Sequence, residues 1–128
     1  MTENNKCPSA TAKTTLAGNL PADCAAVMVY TTFPSLAAAE AAGRTLVAEK
    51  LAGCINILPQ MVSIYAWKGE IERTQEAVLI AKTRVALAER CAARIRESHP
   101  YETPALLIIP VPAGAHDYLE WLRSGTAD

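Results

Sequence analysis

The hydrophobic pattern of this chain switches between two periods, and the switches mark its elements. Residues 25–32, Ala-Ala-Val-Met-Val-Tyr-Thr-Thr, form a continuous apolar and β-branched run. Such a run predicts a central strand covered on both faces. Phe33-Pro34-Ser35 ends it, and Ser35 is a good N-cap for a helix over 36–52. Leu36, Ala39, Gly43, Leu46, Val47 and Leu51 share one face of that helix, with Glu40, Arg44 and Glu49 opposite. Gly43 falls on the apolar side, which predicts close packing onto a sheet. Gly53 is placed as the left-handed residue that ends the helix.

The period then changes to two. Residues 54–58 read as a second strand, and Pro59 predicts an edge position with a bend or bulge. The strand resumes over 61–67. Lys68-Gly69 is a two-residue turn, and a third strand follows over 70–83. At about 3.3 Å per residue that third strand extends about 46 Å. Its first half alternates, with Glu72, Thr74 and Glu76 on one side; 77–81 is apolar on both. Thr83 is placed to cap a second helix, 84–98, whose apolar stripe is Leu87, Ala88, Cys91, Ala92 and Ile95. A fourth strand, 105–110, and a short helix, 114–123, complete the pattern. The order strand, helix, strand, strand, helix, strand predicts an α+β, ferredoxin-like β-α-β-β-α-β sandwich. It carries a long hairpin between its second and third strands and an extra C-terminal helix. Residues 1–24 show no period and predict a disordered tail, leaving 25–128 as one domain.

Two features of this pattern call for an oligomer. The hairpin outruns a helix of about 15 residues, which spans only about 22 Å. The fourth strand is apolar on both faces yet falls at a sheet edge, and a bare apolar edge aggregates. Pairing between subunits resolves both.

Composition narrows the function classes. The chain has 128 residues, 12 basic and 13 acidic, for a net charge of −1. It holds no basic run, so nucleic-acid binding finds no support. No apolar stretch approaches a membrane span, and no signal peptide is visible. Cys7, Cys24, Cys54 and Cys91 show no Cys-x-x-Cys spacing. They read as free thiols of a reducing compartment, which places the protein in the cytoplasm.

The chemistry concentrates in His99-Pro100-Tyr101-Glu102-Thr103-Pro104. Pro100 and Pro104 push their preceding residues out of the helical region, so this link is short and stiff. An imidazole, a phenol and a carboxylate on a rigid turn make a ligand site; the plainer reading is a helix stop and strand start. There is no Gly-rich phosphate loop. Cys91, His99 and Glu102 have the types of a nucleophile, base and orienter. Cys91, however, lies on an apolar stripe that disfavours a thiolate, so no enzyme is expected.

Several stretches together resemble one family. They are 46–57 (Leu-Val-Ala-Glu-Lys-Leu-Ala-Gly-Cys-Ile-Asn-Ile), 65–72 (Tyr-Ala-Trp-Lys-Gly-Glu-Ile-Glu), Leu79–Thr83, His99–Pro104 and Tyr118–Leu122. The resemblance, over about 25–123, is to the CutA divalent-cation tolerance proteins. It implies a homotrimer resembling the PII signalling proteins, a link to copper or other divalent cations, a role in signal transduction and no established catalysis. In some members the proposed copper ligands are a cysteine ending the first strand and two adjacent histidines before the Pro-Tyr pair. The matching positions here are Thr31, Ser98 and His99, so only His99 carries over as a ligand.

Two candidate sites follow. The first is a divalent-metal site, Cu(II) above all, at His99 with Glu102. The second is a polar-aromatic cleft at a subunit boundary formed by Tyr65, Trp67, Lys82, Tyr101, Glu102 and Trp121, with Lys82 paired to Glu102. Two functions correspond to them. One is a trimeric, non-enzymatic protein of copper tolerance acting through bound metal. The other is a PII-like sensor that binds a small anionic ligand between subunits and signals to a protein partner.

Overall fold

The computed structural model describes residues 16–21 and 23–128. Four strands and three helices alternate: β1 (Ala26–Phe33), α1 (Leu36–Ala48), β2 (Cys54–Trp67), β3 (Glu70–Thr83), α2 (Ala88–Ser98), β4 (Leu106–Val111) and α3 (His116–Ser124). They build one four-stranded sheet in the order β2-β3-β1-β4, and every pair is antiparallel. This is the split β-α-β arrangement that the pattern predicts.

Side chains alternate across the sheet, and α1 and α2 cover one side. Val27, Val29, Phe33, Leu79 and Ala81 face them and are buried with Leu46, Leu87 and Ile95. The opposite side carries neither α1 nor α2, and Leu58 and Leu107 each remain 58% exposed there. β1 is therefore central, as expected, but among the described residues α1 and α2 cover only one of its faces.

Most of the expected tail lies outside the described residues. Its final part does not hang free, because Leu16, Leu20 and Cys24 pack against the core.

The helix boundaries shift for local reasons. Ser35 Oγ accepts from the Ala38 amide at 3.1 Å and starts α1 as expected. The helix ends four residues earlier than the pattern predicts. The Leu51 amide donates to Leu46 O (2.9 Å) and the Lys50 amide to Val47 O (3.0 Å). Lys50 takes the left-handed conformation, φ 61°, that was expected of Gly53. These two bonds close a Schellman turn that tucks Leu51 under Leu46. Gly53 is needed for space instead, since a Cβ there would lie 2.8 Å from Leu122 Cδ1. Gly43 does sit tightly on the sheet, its missing Cβ 2.9 Å from Ile55 Cγ2. Thr83 is not the cap of α2. A 3₁₀ turn, Val85–Leu87, comes first, and Thr83 Oγ1 is buried with no hydrogen-bond partner among the described residues.

The hairpin behaves in two ways. β3 pairs with β1 only over Ala77–Thr83. Over Glu70–Glu76 its one neighbour is β2, through the pairs from Met61↔Glu76 to Trp67↔Glu70. The register slips between Leu58 and Met61, around Pro59. Beyond that bulge the hairpin leaves the sheet as a two-stranded ribbon about 23 Å long, turned by Lys68 and Gly69, both at positive φ.

Candidate functional site

The stiff link after α2 docks against the root of this ribbon. Pro100 holds His99 extended, at φ −74° and ψ 135°. The ring then stacks on Phe33 with centroids 4.3 Å apart. His99 Nδ1 accepts from the Tyr101 amide at 3.1 Å, and Nε2 stands 2.7 Å from Thr32 O. A carbonyl oxygen only accepts, so Nε2 carries the proton, and one neutral tautomer satisfies both contacts. Burial pushes the imidazole below its usual pKa, while the Thr32 carbonyl and Glu76 pull more weakly the other way.

Tyr101 continues the link to a carboxylate that the sequence pattern shows only as an alternating strand residue. Its hydroxyl donates to Glu76 Oε2 at 2.7 Å. Ser63 Oγ donates to Oε1 at 2.7 Å, and Thr32 Oγ1 to Oε2 at 3.4 Å. Burial first, then this carboxylate, raise the Tyr101 phenol well above its ordinary value. Around Glu76 opens a cleft of about 900 Å³, on the side of the sheet away from α1 and α2, where the ribbon leaves it. Tyr65, Trp67, Tyr101 and Glu102 all line it.

The other two members of the expected cleft are elsewhere. Lys82 Nζ donates to Tyr118 Oη at 3.2 Å and lies over the Tyr118 ring, which stacks with Trp121. No Lys82–Glu102 ion pair forms. Lys82 stands six residues along β3 from Glu76, about 20 Å. Within one chain, the cleft thus lacks the lysine expected in it. Its lining includes Glu72, Glu76 and Glu102 but no lysine, arginine or histidine. Tyr30, Thr32 and Ser63 also contribute to it and were missed; the one available signal was Glu72, Thr74 and Glu76 sharing one strand face.

The metal candidates fare differently from the cleft. Both ring nitrogens of His99 are engaged, and Thr31 Oγ1 stands 3.4 Å from Nε2. Among the described residues no group of three His, Cys, Asp or Glu side chains converges. Within one chain, this donor set does not fit Cu(II), which asks for free nitrogen or sulfur ligands. Cys91 is fully buried in the core, and burial pushes its thiol up to about 12, which leaves it inert.

Comparison with known proteins agrees with the architecture. The CutA1 divalent ion tolerance protein family matches residues 27–125. A chloroplastic CutA of Arabidopsis thaliana is 37% identical over 100 residues, covering 78% of this chain and 55% of that protein. The chain thus spans about half the length of that relative. A divalent-cation tolerance protein CutA of Thermus thermophilus is 38% identical over 99 residues, covering 77% of this chain and 96% of that one. A solved structure described as the periplasmic divalent cation tolerance protein CutA of Archaeoglobus fulgidus superposes with a TM-score of 0.76 at 33% identity. It covers 78% of this chain and 97% of that one.

Proposed function

This chain belongs to the CutA1 divalent ion tolerance protein family, and from that premise we propose that it serves cation tolerance as a non-catalytic, PII-like homotrimer. Its site is the Glu76 cleft, which takes a small molecule and passes the signal to a protein partner. One observation carries this reading: the cleft is open and lined with polar and aromatic groups, whereas His99 spends both ring nitrogens inside the fold. The trimer is supported by the ribbon. A two-stranded hairpin alone is marginal in water, and this one leaves Ile64 and Ile71 68% and 76% exposed. A neighbouring subunit would cover them. The proposed setting is the cytoplasm, in keeping with the free thiols Cys24, Cys54 and Cys91. Among the described residues no helix is long and apolar enough to cross a membrane.

Direct binding of Cu(II) by His99 and Glu102 is the second reading. It is favoured by the approach of Thr31, which matches a ligand position of some family members, to the imidazole. Calorimetric titration with Cu(II), beside His99→Ala and with mass measured by light scattering, separates the two. The expected result is a trimer with no saturable site that depends on His99. One Cu(II) per subunit, lost in His99→Ala, would overturn the cleft reading as the basis of tolerance. A stable folded monomer at micromolar concentration would overturn the trimer.

A further inference from the structure

We propose that the Glu76 cleft selects an organic cation, a small amine or quaternary ammonium ion. This rests on the cleft reading above and adds the sign of the ligand's charge. Glu76 accepts three hydrogen bonds, and all three donors are neutral hydroxyls: Ser63, Thr32 and Tyr101. Hydroxyls satisfy lone pairs but leave the net charge in place. The ion pairs among the described residues are Arg94–Glu49, Arg94–Glu97 and Arg123–Glu120, so none reaches a carboxylate of the cleft. The cleft is thus negative and half-enclosed, with no lysine, arginine or histidine in its lining and Lys68 only at its outer end, over Trp67.

Its walls point the same way. Tyr30, Tyr65, Trp67 and Tyr101 all line it. That is four of seven aromatic side chains in the chain, which has one Phe, four Tyr and two Trp. Aromatic faces are negative and attract ammonium groups, Trp most strongly. The chain itself provides an instance, because Lys68 Nζ stands 5.7 Å from the centre of the Trp67 ring.

Other occupants fit less well. An anion would be repelled by Glu72, Glu76 and Glu102. A neutral apolar ligand would bury the Glu76 charge without a partner. A divalent metal needs several oxygen ligands converging at 2–2.6 Å, and no group of three acidic, His or Cys residues converges among the described residues. An ammonium group on an apolar stem offsets the charge, covers the rings and tolerates carboxylates that stand apart.

The test is calorimetry on the full chain with four probes: choline, n-butylammonium, 3,3-dimethylbutan-1-ol (the neutral isostere of choline) and inorganic phosphate. Glu76→Gln keeps the side-chain shape, and Tyr65→Leu removes a ring of the cleft wall nearer to Glu76; oligomer mass is measured for both. At least one of the two cations should bind saturably, with about tenfold preference over the alcohol. Either substitution should weaken that binding about fivefold or more while the mass stays unchanged. Equal binding of the alcohol, or binding of phosphate, would overturn the charge assignment and leave the cleft as a ligand site. Failure of all four probes would overturn both. If Tyr65→Leu also lowered the mass, the cleft would be a contact between subunits, and the proposal would fall.

Discussion

The two halves of β3 share one strand and have opposite surroundings. From Ala77 to Thr83 the strand is hydrogen-bonded on both sides, and Ala77, Leu79 and Ala81 are fully buried under the helices. From Glu70 to Glu76 it has one neighbour, and Ile71 points into solvent. The first half is stabilised by its own chain. The second holds the cleft and an apolar surface that nothing among the described residues covers. The difference teaches that fold and function divide along the strand: the packed half fixes the ribbon's direction, and the ribbon is left free to meet something else.

Truncation in each half tests this division, and it carries the largest expected effect. Leu79→Ala should cost about 2–5 kcal/mol in urea unfolding, the usual range for a buried leucine. Ile71→Ala should cost less than about 0.5 kcal/mol where dilution separates the subunits, as for exposed sites. Its penalty should grow with protein concentration, because a subunit contact is a mass-action term. Equal losses for the two variants, with unchanged mass and no dependence on concentration, would mean that the ribbon is packed by its own chain.

A second comparison sets the two polar clusters against each other. At the cleft, the Tyr101 hydroxyl bonds a half-buried carboxylate; at the far end, Lys82 meets an exposed Tyr118. Hydrogen bonds to charged groups contribute about 1.5–3 kcal/mol, so Tyr101→Phe should lower stability by about that much. Lys82→Ala should change stability by less than about 0.5 kcal/mol and leave the cleft's ligand binding unaltered. Loss of binding in Lys82→Ala would show that the clusters communicate, and would restore lysine to the site.

What the sequence discloses follows the same boundary. Strand and helix periods, the bend at Pro59, the Lys68-Gly69 turn and the edge position of β4 are local signals, and each is realised in the fold. The end of α1 was misplaced because Gly53 looked like a terminator. Burial of Leu51 turns the chain earlier, at Lys50, and Gly53 answers to Leu122, far away in sequence. The site was half legible for a similar reason. His99, Tyr101 and Glu102 lie on one stiff link and announce themselves. Glu76, Ser63 and Thr32 come from three strands, and only the pairing register brings their oxygens together. Lys82 was assigned to the wrong end because alternation gives the face of a strand, while position along it depends on where β1 stops.

The smallest expected effect concerns pH, and it separates the link from the cleft it supports. His99 is held neutral, chiefly by burial, so its folded pKa lies below the value of about 6.5 that it has when unfolded. The unfolded chain then takes up a proton first as the pH falls. Stability from this group is complete above about pH 6.5 and is lost as the pH drops through the lower folded value. Protonation would also put a hydrogen on Nδ1, facing the Tyr101 amide that now donates to it at 3.1 Å. Glu76 favours the charged ring and Arg96 opposes it, both more weakly than burial. Urea midpoints at pH 7.5 and 5.5 should therefore fall further for the native protein than for His99→Gln. Identical pH dependence in the two would mean that the ring accepts its proton without leaving Thr32 and Tyr101, and that the link stays rigid in acid. A steeper loss in the native protein, with cleft binding intact at pH 5.5, would make the histidine a support for the fold alone.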